Sequence, residues 1–329
     1  MTVVGWISGC DIGPIPPDVE TIATGLNNPV GLAMTSDGTL LVAESGAGRI
    51  VSIAADGTMM PFITDFALGT FFPYDIGPLS MVIQEGGAII VGEGGRPIGM
   101  ERVSFFDSAG QPLDEPPLTP ISGGNFQGMA VDPVSGDLFI ASANTNRLYR
   151  AAVLDGGMFD APVDFVVNTL AEPIGRAAPA ALVFDTDGVL WVGFSDFVNG
   201  GIDRLTIAEG DEPPAVESVY DAAGRMVTAL AVRPSDGAVL FAEFHPERPA
   251  EARVGRFRDD GTIATYAEEL TAPAGLAFGA DDALYVSTLG ETPNADRGSV
   301  LKLTLETPPP AEMDDAVADD GMGESTVSP

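Results

Sequence analysis

Short apolar runs alternate with turn residues along this chain in a pattern that returns six times. Its clearest copy, residues 29–58, reads PVGLAMTSDGTLLVAESGAGRIVSIAADGT. An apolar run opening on a small residue meets a D-G pair. A second run of the form L-x-V-A-E follows, and a loop with an arginine leads into a third. Further copies occupy residues 79–111, 127–156, 180–210, 228–262 and 274–306. The second runs (TLLVAE, AIIVGE, DLFIAS, VLWVGF, AVLFAE, ALYVST) are β-branched and aromatic and are bounded by D-G, S-G or D-D pairs. These are strands joined by tight hairpins, because Gly and Asp tolerate the positive φ that such turns demand.

The small residues opening each first strand (Gly31, Ser80, Gly128, Ala181, Ala229 and Gly275) recur at intervals of 46 to 53 residues. That spacing suits a four-stranded propeller blade of roughly 40–50 residues. Apolar stripes of period 3.6, which a helical repeat requires, are absent. The ends of the pattern predict how the ring closes. The last repeat supplies three strands and then meets Pro308-Pro309-Pro310, which cannot donate to a ladder. Residues 19–24 (VETIAT) precede the first repeat much as a fourth strand would. The sequence therefore predicts an all-β, six-bladed propeller over residues 19–307, with 3+1 closure by the N-terminal strand. Closure of this kind removes the open edges that invite aggregation. Residues 1–18 read as a partial signal segment and linker, and residues 308–329 as an acidic tail too poor in apolar groups to order.

Charge narrows the partners. Fifteen basic against 48 acidic residues give a formal charge of −33, which speaks against nucleic acid and anionic lipid. No run approaches 18 apolar residues, so no membrane-spanning helix is expected. The single cysteine, Cys10, rules out an internal disulfide and a multi-cysteine metal site. Its context, Ile7-Ser8-Gly9-Cys10 after an apolar stretch and before a Pro-rich linker, resembles the lipobox of bacterial lipoproteins. The resemblance implies lipidation of Cys10, membrane attachment through it, and an extracytoplasmic location. The alternative is an ordinary cysteine in a frayed terminus.

Each first strand starts, and each second strand ends, on one face of the ring, around the channel mouth. First-strand starts are Val30, Leu79, Gln127, Ala180, Thr228 and Ala274; second-strand ends are Glu44, Glu93, Ser142, Phe194, Glu243 and Thr288. Connections into this face add Asn28, Asp75, Asn125, Arg176 and Arg225. Glu44, Glu93 and Glu243 are the repeated charged set. One reading makes them a hard-cation site, for which Ca²⁺ would take their oxygens. The other pairs each with an arginine opening the next strand: Arg49 for Glu44, Arg102 for Glu93, Arg253 or Arg256 for Glu243. The only histidine, His245, lies in a long loop of the fifth repeat and reads either as a general base or as a surface loop residue.

The wording P-x-G-L-A-x-x-x-D-G-x-L-x-V-A-[DE]-S-G-x-x-R-I resembles NHL repeats and, more loosely, the SMP-30/gluconolactonase-like and streptogramin-lyase-like six-bladed propellers. The gluconolactonase resemblance implies a divalent cation held by a Glu, two Asn and an Asp at first-strand starts. Of the six matching positions here only Gln127 offers a side-chain amide, and none a carboxylate. The lyase resemblance implies a channel histidine. Two function classes follow. The first is a binding or scaffold propeller that recognises a protein, peptide or glycan through Glu44, Glu93, Asn125, Gln127, Arg176, Arg225, Glu243 and His245. The second is a metal-assisted hydrolase or lyase using Glu44, Glu93, Gln127 and Glu243 around a cation, with His245 or a carboxylate as base.

Overall fold

A computed structural model describes residues 17–304 apart from short stretches at 72, 97–99, 115, 120–123, 155–156, 167–168, 172–173, 208–212, 249–250 and 291–293. Cys10 and the acidic tail lie outside the described residues. Each repeat folds as one antiparallel sheet. Blade one comprises Pro29–Met34, Leu40–Glu44, Arg49–Ile53 and Met59–Ile63. Blades three, four and five begin at Phe126–Val131, Pro179–Phe184 and Met226–Val232 and follow the same four-stranded plan. Blade six is Pro273–Phe278, Leu284–Thr288 and Gly298–Thr304, completed by the N-terminal strand Asp18–Leu26. That strand pairs antiparallel with the third, Asp18 opposite Thr304 and Leu26 opposite Gly298. The 3+1 closure is as predicted, with the strand two residues longer at its C-terminal end than the VETIAT motif.

Blade two departs from the plan. Its described ladder holds three strands, Pro78–Ile83, Ile89–Glu93 and Val103–Phe106. Only isolated bridges, Phe106 to Pro112 and Val103 to Leu118, stand where a fourth strand would lie. Pro112, Pro116 and Pro117 account for this, since proline brings no N–H to a ladder.

The apolar alternation fills six cores, one between each pair of adjacent blades. Leu41, Ala43 and Ile50 of blade one, for example, pack against Met81, Ile89 and Val91 of blade two, while Leu32 and Val42 meet Val300 of blade six. The small residues opening the first strands let neighbouring inner strands touch. A Cβ on Gly31 would sit 2.7 Å from the Leu79 carbonyl oxygen, and one on Gly275 only 2.0 Å from that of Val30. Hydroxyls lock the same seam. Ser80 donates to the Phe126 carbonyl at 2.7 Å, Thr228 to Pro273 at 2.7 Å and Ser287 to Val30 at 2.6 Å. Each satisfies a buried acceptor that would otherwise cost about 1–3 kcal/mol.

Candidate functional site

All six first-strand positions identified from the repeat (Val30, Leu79, Gln127, Ala180, Thr228 and Ala274) line a central cavity of about 220 Å³. The walls are predominantly apolar, as the residue types predict. What the repeat does not predict is a hairpin, Gly69–Phe71 with Tyr74–Ile76, inserted between blades one and two. Tyr74, Asp75 and Ile76 roof the cavity. Tyr74 packs into a small cluster with Phe244, Ala274 and Leu289 from blades five and six, and that burial pushes its phenol pKa up. Two asparagines staple the roof down. Asn28 Nδ2 donates to the Asp75 carbonyl (3.2 Å) and to Asn294 Oδ1 (2.6 Å). The same Asn294 oxygen accepts from the Asp75 N–H (2.7 Å), and Asn294 Nδ2 donates to the Pro73 carbonyl (3.0 Å). Asn28 and Asp75 were legible as residues of this face; Asn294, in the blade-six loop, was not.

The three glutamates end their strands on this face, yet they are buried inside separate blades. Glu44 accepts from Arg49 Nε and from the Asn27 N–H at 3.0 Å. Glu93 takes Arg96 (2.7 Å), Arg102 (2.9 Å) and Ser104 Oγ (2.5 Å). Glu243 takes Arg253 (2.7 Å), the Tyr220 hydroxyl (2.8 Å) and Arg225 (3.4 Å). The expected partners Arg49, Arg102 and Arg253 are therefore in place, and Arg256 turns instead to Asp236 at 2.8 Å. The proposed cation trio is corrected on this geometry: its carboxylates do not converge, and no group of three metal-ligating acidic, His or Cys side chains occurs among the described residues. The channel positions that a gluconolactonase-type cation would need carry Val, Leu, Gln, Ala, Thr and Ala. This donor set does not fit a divalent ion.

The remaining site candidates also turn inward. Arg225 spans Glu243 and Glu251 (3.3 Å). Asn125 is buried and donates to Asn144 Oδ1 at 3.2 Å. His245 caps its own loop, its Nδ1 accepting the Glu247 N–H at 3.1 Å, and it does not line the cavity. Arg176 is a buttress. It ion-pairs with buried Asp203 (2.9 Å) and donates to the carbonyls of Asn199 (3.2 Å), Gly200 (2.8 Å) and Tyr220 (3.1 Å) and to Ser218 Oγ (2.8 Å). Glycine is needed beneath it, because a Cβ on Gly201 would lie 2.2 Å from Arg176 Nη1. The loop held this way exposes Phe197 (51%) and Val198 (80%) at its tip. Asp196 Oδ1 fixes that tip by accepting the N–H groups of Val198 (2.7 Å) and Asn199 (2.8 Å).

Fold and channel together define a six-bladed β-propeller with a roofed, apolar central cavity. No protein-family model and no curated protein sequence matches the chain. Solved structures with the same fold do. The PQQ-bound aldose sugar dehydrogenase from Streptomyces coelicolor aligns over 88% of this chain and 100% of its own, at 17% identity and TM-score 0.59. Virginiamycin B lyase from Staphylococcus aureus aligns over 88% and 99%, at 14% and 0.56. A protein assigned as a gluconolactonase aligns over 90% and 95%, at 14% and 0.61. At these identities the likeness is one of fold.

Proposed function

We propose that this chain is a binding propeller whose loop-rich channel face recognises a protein, peptide or glycan. The supporting observation is the blade-four loop: an Asx turn and the Arg176 clamp hold it rigid while it presents Phe197 and Val198 to solvent. Met100, in a loop of blade two, and Leu170, before blade four, add exposed apolar groups on the same face. Preformed loops carrying exposed aromatic groups suit recognition, since little ordering cost is left to binding. Glu44, Glu93 and Glu243 are committed to ion pairs within their own blades, so they offer a metal-assisted hydrolase no shared cation site. Lactonase or lyase activity remains the second reading because proteins of the same fold carry those names.

Lipidation of Cys10 completes the proposal and places the protein outside the cytoplasm. Asp18 pairs with Thr304, at the end of the ladder away from Leu26 and the channel face. An anchor on Cys10 would thus tether the opposite face and present the loops outward. Palmitate incorporation that is abolished by Cys10→Ala supports the anchor, and an unmodified Met1 in the mature protein refutes it. For recognition, the test is binding of labelled protein to glycan and peptide arrays, wild type against Met100→Asp/Phe197→Asp. A discrete set of ligands lost in the double variant supports the proposal. Ligands indifferent to it, or turnover of lactone or lyase substrates by the purified protein, overturn it.

A further inference from the structure

Beneath that face lies the central cavity, covered in part at both ends but not sealed. Tyr74, Asp75 and Ile76 roof it, and the roof is hydrogen-bonded through Asn28 and Asn294. Met81, Met129 and Leu182 form its floor, because these three also line a wider opening of about 470 Å³ on the opposite side of the ring. The polar groups on its walls are nearly all spent. Ser80, Thr228 and Ser195 donate to backbone carbonyls, and Ser45 Oγ accepts the Gly77 N–H. The Asp75 carboxylate, in the roof, accepts from Thr70 Oγ1. The exceptions are Gln127, whose side-chain amide makes no hydrogen bond among the described residues, and the Tyr74 hydroxyl in the roof, which makes none there either.

We infer that this chamber is a binding site for a small, neutral, predominantly apolar molecule with one hydrogen-bond donor, which Gln127 Oε1 accepts. Size sets the class. A cavity of roughly 150 Å³ admits benzene, so 220 Å³ suits a molecule of about one to two fused rings. Charge agrees: the wall offers no partner for an anion, and its single carboxylate sits in the roof. The inference goes beyond the proposed recognition by the loops and stands or falls separately from it.

The test compares indole with indene, its isostere lacking the N–H, by ligand-observed saturation-transfer NMR on the full chain. Wild type is expected to bind both saturably. Gln127→Leu weakens indole about threefold to tenfold, the worth of one hydrogen bond, and leaves indene unchanged. Ala180→Leu/Ala274→Leu, which fills the chamber, abolishes both; should that variant fail to fold, the Gln127→Leu comparison carries the test alone. Absence of saturable indole binding to wild type overturns the inference. So does undiminished binding to a folded filled variant, or equal behaviour of the two probes toward Gln127→Leu. Array ligands without indole binding would sink the chamber alone, and indole binding without array ligands would sink the loop reading alone.

Discussion

Replacing Arg176 by Met removes the one ion-pair partner that Asp203 has among the described residues while keeping most of the side-chain volume. The pair is deeply placed, with the side chains 11% and 1% exposed. Breaking such a pair costs about 3–5 kcal/mol, since a buried carboxylate is left uncompensated. Loss of the bonds to Asn199 and Gly200 places Arg176→Met in the upper part of that range. Urea unfolding followed by Trp191 fluorescence reads the effect. With an m-value of about 3 kcal/mol/M, the midpoint falls by more than 1 M. Asp203→Leu added to Arg176→Met should recover much of the loss, because apolar replacement of both partners is close to neutral. The deficit also depends on pH. Burial pushes the Asp203 pKa above its ordinary value, against the opposing pull of Arg176. As pH rises, the unfolded carboxyl ionises first, so the contribution of this group is present at low pH and is lost as pH passes the folded pKa. Without Arg176 the folded pKa climbs further, and the deficit is larger at pH 7.5 than at pH 4.5. A deficit below ~1 kcal/mol, or one that does not change with pH, refutes the clamp.

Glu243→Gln leaves two arginines and a tyrosine around a neutral amide and should cost about 2 kcal/mol, more than Glu44→Gln with its single arginine; a metal-free protein stabilised by either change would instead point to carboxylate repulsion. Removing residues 17–26 exposes the Gly298–Thr304 edge, so light scattering should show self-association, and a stable monomer would contradict the closure. Gly255→Ala drives a methyl to within 2.3 Å of the Phe241 ring and should destabilise by about 1–3 kcal/mol in the same urea assay. Burial raises the pKa of Tyr74, Tyr220 and Tyr266, so absorbance at alkaline pH should show fewer phenolates than an unfolded control. Stability should correspondingly fall as pH rises through the folded values.

The repeat carried the blades, the closing strand and the six first-strand positions that line the cavity, because strand alternation and turn chemistry are local and periodic. It also carried the Glu44–Arg49 and Glu93–Arg102 pairs and narrowed the partner of Glu243 to Arg253 or Arg256, because each arginine sits on or beside the neighbouring strand. It did not carry the prolines that reduce the edge of blade two to bridges, although Pro112, Pro116 and Pro117 were there to read. The roof was less accessible. Its hairpin breaks the repeat, and its staple joins Asn28 to Asn294 across the closure of the ring, a contact that periodicity does not encode. Arg176 was placed on the correct face but assigned to a ligand. Its true partner, Asp203, lies on a third strand where the other blades have no matching acid.

Calcium calorimetry on wild type and Glu93→Gln bears most directly on the central claim, that the carboxylates of the channel face hold the fold together while its loops bind. The account predicts the same trace for both proteins, with no heat that depends on Glu93. Stoichiometric binding in wild type that disappears in Glu93→Gln would contradict it.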